Sequence, residues 1–416
     1  MSMDLETLAV EPPALAGRGA GSSGPRGWWV ALLHRFGAAL EQGELCIRLP
    51  DGAVLRYQGR SPGPKARLDI PTWAALRRIA FGGTLGFAEA YISGEIDVVD
   101  LETLLWLAAL NRHVLDRRLA GLGPVRVFNR LAHLLRPNTR KGSRRNIAAH
   151  YDLGNAFYRL WLDETMTYSA GYFAAEDEDL APAQLRKYRW IADLAGVRSG
   201  SRVLEIGCGW GGFAELAARE LDCRPVGLTI SEAQLRFARD RIARAGLDGR
   251  AEIRLQDYRD STGRFDAVVS IEMFEAVGER NWPLFFRVLR ERMATGAKAA
   301  LQVITIAEDR YPSYRRSADF IQRYIFPGGM LPTQGILERL AAAAGLDVLS
   351  LSGFGADYAR TLRLWGERFR GNWPAIQALG FDDRFRRMWD YYLRYCEVGF
   401  DTGSIDVVHL QLQRRT

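Results

Sequence analysis

From residue 202 onward seven apolar runs punctuate this 416-residue chain, and amphipathic stretches of helical period lie between the first six. The runs are RVLEI at 202–206, PVGLTI at 225–230, AEIRL at 251–255, FDAVVSI at 265–271, KAALQVI at 298–304, LDVLSL at 346–351 and IDVVHLQL at 405–412. Strands that alternate with helices form a mostly parallel sheet, which must be covered on both faces. The pattern therefore predicts an α/β domain on a seven-stranded, Rossmann-like sheet. Two helix-rich insertions, at about 308–335 and 357–397, interrupt the rhythm.

A chain of this length exceeds one ordinary core, and what precedes residue 146 reads differently. Residues 1–27 are Gly-, Ser- and Pro-rich and suggest a disordered tail without the apolar stretch of a secretory signal. Residues 28–136 suggest a smaller, lipid- or membrane-facing α+β domain. Its expected elements are a helix over 28–40, strands at LCIRL and AVLRY, a turn-rich segment around Pro62 and Pro64, the strand RLDI, a helix over 72–80 and helices from 101 to 135. A basic linker, 137–145, leads into the larger domain, 146–416. No run approaches the roughly 20 apolar residues of a membrane span. Cys46, Cys208, Cys223 and Cys396 lack metal-type spacing, which points to a reduced, cytoplasmic protein with no structural metal.

Charge is unevenly placed. The whole net charge of +7 lies before residue 146, where 20 Lys/Arg face 13 Asp/Glu. Residues 111–145 alone carry ten basic residues and one acid, Asp116. Within them Val127, Phe128, Leu131, Leu134 and Leu135 recur at helical spacing, with Arg126 and Arg130 between. A basic amphipathic helix beside a basic loop suits an anionic phosphate surface, or else it is an interdomain helix with a solvated face. No nucleic-acid motif accompanies it, so the expected partner is a membrane surface with anionic headgroups, met from the inner face as a peripheral protein.

The stretch VLEIGCGWGGFAELAA, 203–218, reads as strand, glycine turn and helix. Gly207, Gly209 and Gly211 let the backbone turn sharply and approach a ligand at the helix N-terminus. Three glycines alone would also suit a nicotinamide dinucleotide, which wants G-x-G-x-x-G and an acid ending the second strand. Here the spacing is E-x-G-x-G-x-G from Glu205, and the second strand ends in GLTISEAQ without that acid. This resembles the pattern of S-adenosylmethionine (SAM)-dependent methyltransferases. In LQDYRD, Asp257 is placed to accept from an adenine amino group and Tyr258 to cover its ring.

From about residue 70 onward the chain resembles the cyclopropane-fatty-acyl-phospholipid synthases and mycolic acid cyclopropane synthases. The resemblance rests on NIAAHYDLGNAFYRLWLDETMTYSAGYF, VLEIGCGWGGFA, VGLTISEAQ, DYRDSTGRFDAVVSIEMFEAVG, FIQRYIFPGGMLP and DYARTLRLW. It implies SAM contacts from Tyr168, Ser169, Gly207, Gly209, Thr229, Gln234, Asp257 and Tyr258. It also implies an unsaturated acyl chain of a membrane phospholipid as substrate and a cyclopropane product. Separately from the resemblance, a homodimer is an assembly open to the chain. Members of that family hold a bicarbonate ion as base, gripped by a cysteine, a glycine, a glutamate, a histidine and a tyrosine. Glu275, Ile304 and Tyr358 match that set, whereas Ala170 stands for the cysteine, Gln302 for the histidine and Glu272 for the glycine. Cys396 matches a cysteine sometimes assigned as a nucleophile, although an alkene attacking a methyl group needs no thiolate.

These departures predict that Glu272 replaces the bound ion as base, oriented by Gln302, with Glu275 and Tyr358 in the same pocket. Two such close carboxyl groups should raise a pKa. The competing expectation is that Glu272 points into solvent. Tyr168, Phe173, Phe274 and Tyr324 are expected to line a cation site. Two other outcomes remain open: a methyl-branched or methylene product, and a membrane-associated protein that holds SAM without turnover.

Overall fold

The computed structural model describes residues 25–113, 153–316 and 319–415. The basic linker, nearly all of the basic segment and most of the N-terminal tail lie outside them. The N-terminal region is a four-stranded sheet, β1 (Gln42–Arg48), β2 (Val54–Gln58), β3 (Ser61–Asp69) and β4 (Asp97–Val98), in the order β2-β1-β3-β4. It packs with α1 (Pro25–Gly37), α2 (Trp73–Ile92) and α3 (Leu101–Leu110). Two expectations need correction. The segment around Pro62 and Pro64 is part of β3 rather than a turn: β4 pairs only with Leu68 and Asp69, so among the described residues one edge of β3 has no strand beside the prolines. The helix expected over 72–80 starts at its Thr72 cap but continues to Ile92, through a kink at Gly83 where φ is 59°.

All seven apolar runs are strands of one sheet: β5 (Arg202–Ile206), β6 (Arg224–Thr229), β7 (Glu252–Leu255), β8 (Phe265–Ile271), β9 (Met293–Ile306), β10 (Leu346–Gly353) and β11 (Ile405–Arg414). Their order is β10-β11-β9-β8-β5-β6-β7. β5 to β9 run parallel, and β11 is antiparallel to both β9 and β10. The longer helices are α4 (Leu180–Leu194), α5 (Gly212–Glu220), α6 (Glu232–Arg244), α7 (Trp282–Arg292), α8 (Gln334–Ala343), α9 (Gly355–Gly371) and α10 (Asp383–Asp401). Strand order reverses beside β5, so the carboxyl ends of β5 and β8 flank the crevice where such sheets bind ligands.

The two regions share a core. Leu85, Ala88 and Ile92 of α2 and Leu101 and Leu105 of α3 join one cluster with Trp161, Trp365, Trp389 and Tyr391. Arg394 of α10 pairs with Glu102, Arg387 donates to the Tyr91 carbonyl at 3.2 Å, and the Tyr324 hydroxyl donates to Glu89 at 2.7 Å. Among the described residues no helix is long and apolar enough to cross a membrane.

Candidate active site

A cavity of about 670 Å³ lies at the carboxyl ends of the parallel strands. The glycine turn after β5 forms part of its wall, and its three glycines are there for different reasons. Gly209 (φ 50°) lines the cavity, and a Cβ on it would point into open space. A Cβ on Gly207 (φ 85°) would come within 2.7 Å of the Met273 side chain. Gly211 (φ 82°), grouped with them from the spacing, is not among the lining residues. It caps the start of α5 and lets that helix approach α6, with Ala238 3.0 Å from where its Cβ would be.

Thr229 and Gln234 meet at the end of β6, where the Thr229 hydroxyl donates to Gln234 Oε1 at 2.9 Å. Glu205 is buried at the end of β5 with Oε2 unpartnered, and burial lifts its pKa to about 8. Asp257 also lines the cavity, but both its oxygens already accept from the Arg259 guanidinium, at 2.8 and 2.6 Å, so only its remaining lone pairs can serve a ligand. Tyr258 packs edge-on against Phe285 at 5.4 Å with its hydroxyl unpartnered. An open turn floored by glycine, an unpartnered carboxyl oxygen and a free cavity above them fit a ligand of SAM's shape and polarity.

Glu272 follows β8 at a backbone φ of 49°, a left-handed conformation that costs a residue with a side chain about 1–2 kcal/mol. Its carboxyl group turns inward. Oε1 accepts from the Ala170 N–H at 2.9 Å and from Gln302 Nε2 at 2.7 Å, and Oε2 accepts from the Tyr358 hydroxyl at 2.6 Å. The expectation of a solvent-facing side chain is thereby overturned. Burial raises the Glu272 pKa, while the Tyr358, Ala170 and Gln302 hydrogen bonds and the Lys187 charge pull it down. Glu275 has fewer supports: Oε1 accepts from the Ile304 N–H at 2.5 Å and Oε2 has no partner. Burial, then the Glu272 charge, pushes it to about 8. With three donors against one, Glu272 is the better stabilised of the two as a carboxylate, and Glu275 the better placed to keep a shared proton.

Ala170 and Gln302 are fully buried behind Glu272 and hold it without lining the cavity. A bicarbonate ion does not fit this arrangement, because the Glu272 carboxylate already takes the donors of Ala170, Gln302 and Tyr358. Cys396 does line the cavity, but burial pushes its thiol up, which leaves no thiolate. Of the four aromatics expected at a cation site, Tyr168 alone borders the cavity. Phe173 lies under the Arg360 guanidinium, Phe274 is packed among Trp282, Phe285 and Phe286, and Tyr324 reaches to Glu89. Phe326, Tyr391 and Tyr392 from the two insertions, and Phe400 from the end of α10, supply the aromatic wall instead.

Two buried groups escape a reading of the sequence. Lys187 of α4 donates to the Ser169 hydroxyl at 2.6 Å, and burial lowers it to about 8 against the pull of Glu272, Asp163 and Glu205. Its neighbour Gln184 donates to the Ser169 carbonyl at 2.8 Å, and together they fix the segment that presents the Ala170 N–H. A polar pair three residues apart on an apolar helix face is the available signal. His409 of β11 stands 2.9 Å from Gln302 Oε1 and is held neutral, near 3, by burial. Because Gln302 Nε2 serves Glu272, the ring donates from Nε2 and locks the amide orientation.

The fold and site define a SAM-dependent enzyme of the methyltransferase class. The family model for mycolic acid cyclopropane synthetase matches residues 138–410. The chain is 43% identical over 355 residues to the tuberculostearic acid methyltransferase UfaA1 of Mycobacterium tuberculosis, covering 82% of this chain and 81% of that one. It is 35% identical over 348 residues to the cyclopropane-fatty-acyl-phospholipid synthase of Escherichia coli, covering 81% and 85%. Mycolic acid cyclopropane synthase CmaA1, solved in complex with SAH and CTAB, matches with a TM-score of 0.62 at 30% identity, over 65% of this chain and 98% of that one. This chain belongs to the mycolic acid cyclopropane synthetase family, and SAM is its cofactor.

Proposed function

We propose that the enzyme adds a one-carbon unit to the double bond of an unsaturated acyl chain in a membrane phospholipid, and that Glu272 is its base. The observation that carries this is a carboxylate gripped by Ala170, Gln302 and Tyr358, the positions that in the resembling family surround a bicarbonate ion. SAM supplies an electrophilic methyl group, and the chain's double bond is the nucleophile. The cation left on the chain would be faced by the ring of Tyr168 and the other cavity tyrosines. Glu272 Oε2 accepts one hydrogen bond where Oε1 accepts two, so Oε2 keeps the lone pair that takes the proton. Tyr168, Ser169, Glu205, Gly207, Gly209, Thr229, Gln234, Asp257 and Tyr258 would hold the cofactor.

The favoured product is a methylene or methyl-branched chain, supported by the name of the 43% identical relative. Loss of the proton after a hydride shift to the neighbouring cation leaves a methylene branch, which a separate reductase would convert to methyl. Direct closure would instead give a cyclopropane, a second reading supported by the name of the 35% identical relative. Mass spectrometry of an oleoyl phospholipid treated with enzyme and SAM tests both. Each product gains one CH₂, but a methylene branch takes up hydrogen over a catalyst under conditions that spare a ring. No mass gain on any unsaturated lipid would overturn the reading. The membrane part is tested by changing Arg140, Lys141, Arg144 and Arg145 to Ser, which should weaken binding to anionic vesicles about a hundredfold or more.

A further inference from the structure

The cavity does not end at the catalytic centre. The same space continues into the N-terminal region, where Phe36, Leu45, Ile47, Leu68, Leu76 and Leu104 face it from α1, the sheet, α2 and α3. These include the residues that would ordinarily fill that region's core. Protein interiors are close-packed, and an unfilled apolar cavity is destabilising in proportion to its volume. A hollow lined this way calls for an apolar occupant.

Its walls say which part of a lipid that is. Arg112 is the one charged residue among the described N-terminal residues facing the cavity, and its guanidinium is engaged 3.2 Å from Asp309. The Tyr57 hydroxyl is taken by His34 Nδ1 at 3.3 Å. A phosphate or ester would find little to bind there. Gly83, where α2 kinks, also lines the cavity. Before it, Leu76, Ile79 and Ala80 face the hollow, and after it Leu85, Ala88 and Ile92 belong to the core shared with the catalytic region.

We infer that the hollow of the N-terminal region receives the methyl-terminal part of the acyl chain while the double bond lies beside Glu272. The region then acts as a specificity-determining site that measures the chain beyond the reacting carbons. This rests on the acyl substrate proposed above.

The test uses the full chain and two phosphatidylglycerols, oleoyl and myristoleoyl, which share the double-bond position but differ by four methyl-end carbons. Wild type should favour oleoyl in kcat/KM by roughly tenfold or more, since each buried CH₂ adds affinity. Ala80→Phe, which narrows the hollow, should cut that preference by about tenfold or abolish it. If that variant does not melt cooperatively, Leu45→Phe narrows the same space from the sheet side. An independent readout is photocrosslinking with a phosphatidylglycerol bearing a diazirine at its acyl terminus, which should label peptides within residues 32–109. An unchanged chain-length preference in a folded variant, or label confined to residues 153–415, would overturn the inference. Label in the hollow with no methyl transfer to either lipid would sink the proposed reaction and leave the acyl site standing.

Discussion

Two turns at the ends of adjacent strands require the same unusual backbone and use it in opposite ways. After β5, Gly209 adopts a φ of 50° and leaves open space where a side chain would be. After β8, Glu272 adopts a φ of 49° and fills its space with a carboxyl group held by three donors. Glycine takes such a conformation at no steric cost, whereas glutamate pays for it in strain. The first turn keeps room for a ligand; the second carries its own. They are also coupled, since Gly207 packs on Met273, the residue after Glu272.

Replacing the side chain of the second turn should have the largest effect. Glu272→Gly is expected to lower turnover by about 10²–10⁴-fold, with SAM affinity in calorimetry changed by less than about threefold. Its melting temperature should not fall, because glycine relieves the strain and removes a buried carboxylate. Added bicarbonate should then restore part of the activity through the freed donors, while leaving wild type unaffected. A fully active variant would make Glu272 a packing residue.

Filling the first turn comes next. Gly209→Val should weaken SAM binding by about a hundredfold or more, because the branched side chain enters the ligand's space and strains the backbone. The protein should still melt cooperatively. Unchanged affinity would place the cofactor elsewhere in the cavity.

Tyr358→Phe touches only one of the three donors to Glu272 and should cost about tenfold in turnover. Losing a donor to the charged form raises the Glu272 pKa, so the acidic limb of the pH–rate profile should move to higher pH. A loss of rate with no movement of that limb would argue against Glu272 as the titrating base.

The smallest effect separates the two glutamates. The Glu275 pKa rises from 4.5 to about 8 on folding, so between those values the folded state binds the proton that the unfolded state has released. Its contribution to stability is thus complete below about 4.5 and is lost as the pH climbs through about 8. Thermal melts of Glu275→Gln should show a shallower decline over that window than wild type, by a few degrees. Parallel curves would mean that Glu275 does not carry the shift.

Much of the fold and of the site is legible in the residues alone, and the reasons are local. Each of the seven strands contains a short apolar run, and the alternation of those runs with amphipathic stretches locates them. Glu272 and Glu275 stand out because carboxyl groups rarely follow a buried strand. What the sequence misplaces has a common cause. Pro62 and Pro64 read as a turn because the sequence does not reveal that, among the described residues, one edge of β3 has no strand beside them. Phe173, Phe274 and Tyr324 suit the cavity by type, but whether an aromatic faces a cavity or a core depends on which element packs over it. His409 is silent in the sequence because nothing adjacent in the chain explains it, and Lys187 leaves only the trace of a polar pair with Gln184 on an apolar helix face.

The sequence by itself determined the order of strands and helices, the glycine turn and the substitution of a glutamate for a glycine, since these depend on residues close together along the chain. Only the tertiary structure decided what that glutamate became. Its donors come from a segment 102 residues away, from the neighbouring strand 30 away and from a helix 86 away. A carboxyl group's charge is set by the donors and the dielectric around it, and these exist only once those elements have packed together. The same holds for the continuous cavity, whose walls are drawn from both regions of the chain.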